Sequence, residues 1–89
     1  MEKPLQLERI IKGLANHRRI EVALLLEKTP ELSVLEIADA LKTNFKTISE
    51  HIRRMAIAGL VMKRNDANAV RHALTSRAKS ILKFLRTLE

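Results

Sequence analysis

Apolar side chains recur at positions i, i+3, i+4 and i+7 in four stretches of the chain, the spacing that lines one face of a 3.6-residue helix. They are Leu7, Ile10, Ile11 and Leu14, then Val34, Ile37, Ala38 and Leu41, and near the end Ala78, Ile81, Leu82 and Leu85. The fourth is Ile48, His51, Ile52 and Met55, in which a histidine takes one apolar slot. A second stripe, Ile81, Phe84, Leu85 and Leu88, overlaps the one at the end. Ile20 to Leu26 is apolar almost all round, which predicts a buried helix.

Capping chemistry separates these segments. Asn16 is placed to cap a helix from His17 to about Lys28, and Thr29-Pro30 ends it, because proline disfavours helix in the residue before it. Ser33 and Glu36 form an S-x-x-E capping box. Thr43-Asn44 breaks the chain again, and Asn44 caps a helix reaching Ala58, with Gly59 as its stop. Thr75 or Ser76 caps the last helix. Two short β-capable runs, Leu60–Arg64 and Val70–Leu74, flank Asn65-Asp66-Ala67-Asn68-Ala69 and predict a hairpin with a loop longer than two residues. The expected fold is mainly α: a winged helix-turn-helix of five helices and a two-stranded β-hairpin wing, in the order α-α-α-α-β-β-α. Residues 1–89 form one such domain, with terminal helices at about 5–15 and 76–88. The paired stripes of the last helix are wider than a small core needs, so both terminal helices are expected to join two copies in a homodimer.

Charge sharpens this. The chain of 89 residues carries a net charge of +7, yet is 46% hydrophobic, which describes a folded basic domain rather than a disordered basic tail. Residues 1–42 hold seven Lys/Arg and seven Asp/Glu, whereas residues 43–89 hold ten Lys/Arg against Glu50, Asp66 and Glu89. All of the excess lies in the second half, the footprint of a face that meets a polyanion. The longest apolar run, Met55 to Met62, is too short to span a bilayer, and Met1-Glu2-Lys3-Pro4 has no signal-peptide core, so a cytoplasmic protein is expected. There is no P-loop, no dinucleotide fingerprint and no nucleophile elbow, so no enzyme is expected. No cofactor is implied.

The helices 34–41 and 45–58, followed at once by a basic hairpin, place the second helix in the major groove of double-stranded DNA and the 60–75 wing on the backbone or minor groove. The second helix exposes Lys46, Thr47, Ser49, Glu50 and Arg53 opposite Ile48, Ile52 and Met55, and the wing supplies Lys63, Arg64 and Arg71. These are side chains able to reach base edges and phosphates. Phe45 either meets a thymine methyl group or folds into the core, and His51 sits at the rim of the helix, where it could donate to a phosphate. Glu50 fits better as an offset to Arg53 or Arg54 than as an acceptor from cytosine. Arg18 and Arg19 stand at the positive end of a helix, an unfavourable place for cations, which suggests a role such as pairing with Glu21 or touching phosphate, and structural pairing is the simpler account. Met55 and Met62 read as core fillers. A protein-docking winged helix is the alternative, but its partner would need an apolar patch where this helix is polar. RNA binding is disfavoured by an aromatic content of 2%.

Leu14-Ala15-Asn16-His17-Arg18-Arg19-Ile20, Asn44 to Ile52, and Ala58-Gly59-Leu60-Val61 resemble, in turn, the L-A-D-P-T-R-L opening, the S-Q-S-T-V-S-x-H-L recognition helix and the A-G-L-V wing lead of ArsR/SmtB-type repressors. That resemblance implies a winged-helix repressor, homodimeric through its terminal helices and often released from DNA by a metal ion. Glu31 to Glu36 lines up with the family's E-L-C-V-C-D thiolate box, but both cysteines are replaced, by Ser33 and Leu35. The usual turn glycine is Lys42, so either the lysine tolerates the backbone strain that glycine relieves or the turn differs slightly. His17, His51 and His72 fall in three separate elements, so no metal site is expected.

Overall fold

The computed structural model describes residues 3–89; Met1 and Glu2 of the N-terminal reading lie outside them. The elements are α1 (Pro4–Leu14), α2 (His17–Lys28), α3 (Val34–Leu41), α4 (Phe45–Ile57), β1 (Val61–Asp66), β2 (Ala69–Leu74) and α5 (Ser76–Arg86), the order expected. Each helix start is fixed within a few residues of itself. Pro4 opens α1 where its missing N–H costs nothing. Asn16 Oδ1 accepts from the Arg18 and Arg19 amides at 2.9 and 3.3 Å, and Asn44 Oδ1 from those of Lys46 and Thr47 at 2.8 and 3.2 Å. The Ser33–Glu36 box is complete in both directions. Thr75, rather than Ser76, caps α5, and its hydroxyl also donates to the Gly59 carbonyl at 2.7 Å, tying α5 to the start of the wing.

Two of the helix stops depend on left-handed residues. Gly59 takes φ +76° after α4, which ends at Ile57 with Ala58 as its cap. Lys42 takes φ +52° after α3, so the lysine does occupy the conformation that a glycine would adopt without cost.

The core draws on every element. Val22, Ala23, Leu26, Ile37, Ile48, Ile52, Met55, Leu60, Ala78 and Leu82 are almost wholly buried. α2 is the hub, touching α1, α3, α4, α5 and β2. It is not buried all round as its composition suggested: Leu24 is exposed, while Val22, Ala23 and Leu26 are buried. β1 and β2 pair antiparallel from Val61↔Leu74 to Asp66↔Ala69. The ladder therefore runs to a two-residue turn, Ala67-Asn68, and the longer loop read from the asparagines is corrected: Ala67 accepts φ +52°, which lets pairing continue through Asn65 and Asp66. Met62 is likewise corrected from core to surface, since it points away from buried Val61 on a strand whose side chains alternate.

A third strand segment was not legible. Leu32 bridges His72, with His72 N–H donating to the Leu32 carbonyl at 3.0 Å and Glu31 N–H to the His72 carbonyl at 2.8 Å. His72 is buried, its Nδ1 2.8 Å from the same Leu32 carbonyl, so this histidine anchors the wing to the α2–α3 connection.

Candidate nucleic-acid interface

α4 is held by Ile48, Ile52 and Met55, each 0–1% exposed, and therefore turns its other face fully to solvent. Lys46, Thr47, Ser49, Glu50 and Arg53 all lie exposed on that face. Phe45, at the first position of α4, is 51% exposed, so it is not a core residue. The inner face of the helix is apolar and buried, and its outer face is a mixed set of short polar and long basic side chains.

Salt bridges sort the cations. Glu50 accepts from Arg53 Nε at 2.9 Å and from Arg54 Nε at 3.1 Å, the offsetting role expected of it. The two guanidiniums, Arg53 first, push the Glu50 carboxyl down to about 2. Arg54, the other partner expected for Glu50 at i+4, joins Arg53 in this cluster. On the wing, Arg64 and Arg71 stand directly opposite each other in the ladder, an unfavourable like-charge pair. Acids bracket it: Arg64 Nε meets Glu31 at 3.2 Å, while Arg71 meets both Glu36 and Asp66 at 3.3 Å and the Glu31 carbonyl at 3.3 Å. Arg71 is thus half-buried in a clamp between the wing and the start of α3. Lys46 and Lys63 have no carboxylate partner among the described residues.

Arg18 pairs with Glu21 at 3.1 Å, as expected. Arg19 instead reaches across to α4: its Nε donates to His51 Nδ1 at 3.2 Å and its Nη1 to the Lys12 carbonyl at 2.8 Å. With Nδ1 accepting, the His51 proton sits on Nε2. Burial, and then the Arg19 charge, push the His51 pKa below the ordinary histidine value, so the ring is a neutral part of the helix packing.

The positions of the family's thiolate box do not fit a metal. Ser33 Oγ accepts the Glu36 amide at 3.1 Å as a helix cap, and Leu35 offers no donor atom. The sequence contains no cysteine. No helix of the described residues is long and apolar enough to cross a membrane.

Residues 16–63 match the family described as bacterial regulatory protein, arsR family. The transcriptional activator HlyU of Vibrio cholerae is 31% identical over 80 residues, covering 89% of this chain and 73% of that protein. The HlyU structure superposes with a TM-score of 0.81 at 31% identity, covering 99% of this chain and 97% of the other. A CadC homolog from Staphylococcus aureus, a cadmium resistance transcriptional regulatory protein, is 25% identical over 73 residues; these are 82% of this chain but only 60% of that protein. A winged helix-turn-helix DNA-binding domain from Mycobacterium bovis, described as homodimeric, matches with a TM-score of 0.85 at 26% identity, covering 93% of this chain and 77% of the other.

Proposed function

The chain belongs to the arsR family of bacterial regulatory proteins, and from that premise we propose that it is a transcription regulator that reads double-stranded DNA through α4 and its wing. The observation that carries this is the division of α4 into a buried face of Ile48, Ile52 and Met55 and an exposed face of Lys46, Thr47, Ser49, Glu50 and Arg53. A helix docked so firmly presents its outer side chains rigidly, which base reading requires. Lys46, Thr47, Ser49 and Arg53 are assigned to base edges and nearby phosphates, Phe45 to a thymine methyl, and Lys63 and Arg64 to the backbone beside the wing. Glu50 and His51 position Arg53 and the helix; Arg71 positions the wing.

The whole of residues 1–89 acts as one domain in this reading, and two copies join through α1 and α5. The sign is repression, by occlusion of promoter DNA. HlyU bears the name of an activator, so run-off transcription from a bound promoter decides: less transcript with added protein supports repression, more reverses it. Regulation through a thiolate metal site is not part of the proposal, because the donor set is absent.

The test of DNA reading is selection of bound genomic fragments followed by titration of the selected duplex. Affinity falls steeply with salt, Lys63→Ala weakens all sequences about equally, and Lys46→Ala or Arg53→Ala also relaxes base preference by ~1–3 kcal/mol. Tighter binding to single strands than to duplex, or no enrichment of any sequence, overturns it.

A further inference from the structure

The charge of the sequence points to residues 43–89 alone, because residues 1–42 sum to zero. Folding redistributes those charges. α1 crosses α4 where Gly13 faces Ala58, and an open groove of about 390 Å³ runs along the seam. Arg9 and Lys12 of α1, Arg19 of α2 and Arg54 of α4 wall it, with Ile57 at its edge. A second groove, about 320 Å³, continues past Ile57 between Arg9 and Arg77. Five cations thus line one strip, and three of them come from the neutral half of the chain.

Little neutralises them. Among the described residues Glu8 stands 3.9 Å from Lys12, and Glu50 is shared by Arg53 and Arg54, while Arg9, Arg19 and Arg77 meet no carboxylate. Arg19 donates only to neutral acceptors, His51 Nδ1 at 3.2 Å and the Lys12 carbonyl at 2.8 Å; burial, and then Arg54, push its pKa below the ordinary value, but a guanidinium stays charged.

We propose that this strip is a second DNA contact, which takes the backbone phosphates of the duplex beside the site held by α4 and the wing. The proposal rests on the DNA-binding reading above and extends it. Three observations favour a row of duplex phosphates over a small anion. The strip is open and walled by long exposed side chains, whereas small-molecule sites enclose most of their ligand. Its cations are strung across four helices rather than converging on one point. It begins where the proposed base-reading face ends, since Arg54 and Arg53 share Glu50. On α1 the strip and the apolar side diverge: from Ile11, Arg9 lies about 160° and Lys12 about 100° around the helix.

The experiment compares the wild-type chain, the double variant Arg9→Gln/Lys12→Gln, and the charge-matched control Lys79→Gln/Lys83→Gln on α5. Each is titrated with a selected duplex, carrying a full turn of flanking DNA on both sides, at several salt concentrations. Two lost phosphate contacts per protomer make the slope of log affinity against log salt shallower by ~2 per protomer in Arg9→Gln/Lys12→Gln, with the ratio of specific to non-specific affinity unchanged. The control keeps the wild-type slope. Equal slopes in the two double variants, with specific binding intact, overturn the strip and leave the regulator reading standing. Loss of the specificity ratio together with affinity also overturns it, since the pair would then act by shifting α4. Failure of the wild-type chain to bind any duplex overturns both readings.

Discussion

Single side chains decide how much charge this protein can offer a nucleic acid. Glu50 sits in the middle of the exposed face of α4 and holds two guanidiniums, with its carboxyl pushed down to about 2, so it remains ionised throughout any working pH range. Glu50→Gln releases Arg53 and Arg54 and removes a negative charge from the face. The expected result is several-fold tighter binding to duplex of any sequence and a salt slope steeper by ~1, read by anisotropy titration. Weaker binding with relaxed preference at one base pair would assign Glu50 to base contact instead. His51 makes a second prediction. Its pKa is lowered in the folded state, so the unfolded chain takes up a proton first as pH falls. The stability this group contributes is full above about 6.5 and is lost as pH drops from there through the lower folded value. Protonation also replaces the Nδ1 acceptor with a second donor facing Arg19. The melting temperature therefore falls between pH 7 and 5.5, and His51→Gln, whose carbonyl can still accept from Arg19, flattens that dependence; an unchanged slope in the variant assigns the loss to other groups.

At the scale of elements, the decisive contact is the crossing of α1 and α4. Gly13 costs α1 roughly 0.5–1 kcal/mol relative to alanine in helix propensity. A Cβ at that position would collide with the Ala58 side chain, so glycine is required for the two helices to meet. Gly13→Ala is expected to lower stability by ~1–3 kcal/mol in urea unfolding despite the better propensity, and Ala58→Gly in the same chain to recover part of it. A stabilised Gly13→Ala protein would mean that the helices can move apart freely. The wing is the other element whose placement matters. Its strands were visible as β-capable runs and its inward residues alternate as His72 and Leu74, but the turn was read too long. Asn and Asp at 65, 66 and 68 suggested loop, whereas Ala67 at φ +52° lets the ladder take in the first two of them.

For the molecule as a whole, the open question raised by the fold is what covers the apolar side of α1 and α5. Ile11 and Phe84 are 55% and 60% exposed, and they border a groove of about 190 Å³ with Leu14, Ala15, Ile20 and Leu85. The second stripe of α5 is the reason: Ile81 and Leu85 are half-buried against the core, while Phe84 and Leu88 are exposed beyond the Ala78 and Leu82 that seal it. In the proposed dimer this surface is buried on both copies. Phe84→Glu is expected to give monomer by sedimentation at tens of micromolar, and to weaken binding to a two-half-site duplex by ~10²-fold or more while a single half-site is bound as before. A variant that stays dimeric places the interface elsewhere.

The helix order, the caps, the two faces of α4 and the loss of the thiolate ligands were all determined by the sequence alone, because each depends on residues within four positions of one another. Asn16, Ser33, Asn44 and Thr75 meet their amides two or three residues on, and Ile48, Ile52 and Met55 share a face by helical geometry. Tertiary structure alone decided which charges remain available. Arg64 and Arg71 reach Glu31 and Glu36 across 33 and 35 residues, Arg19 reaches His51 across 32, and Leu32 pairs with His72 across 40. Such partners leave no periodic trace in the chain, since long side chains are brought together by the packing of helices rather than by spacing. The same packing carries Arg9, Lys12 and Arg19 out of a neutral half-sequence and sets them beside Arg54, at the end of the helix proposed to read DNA.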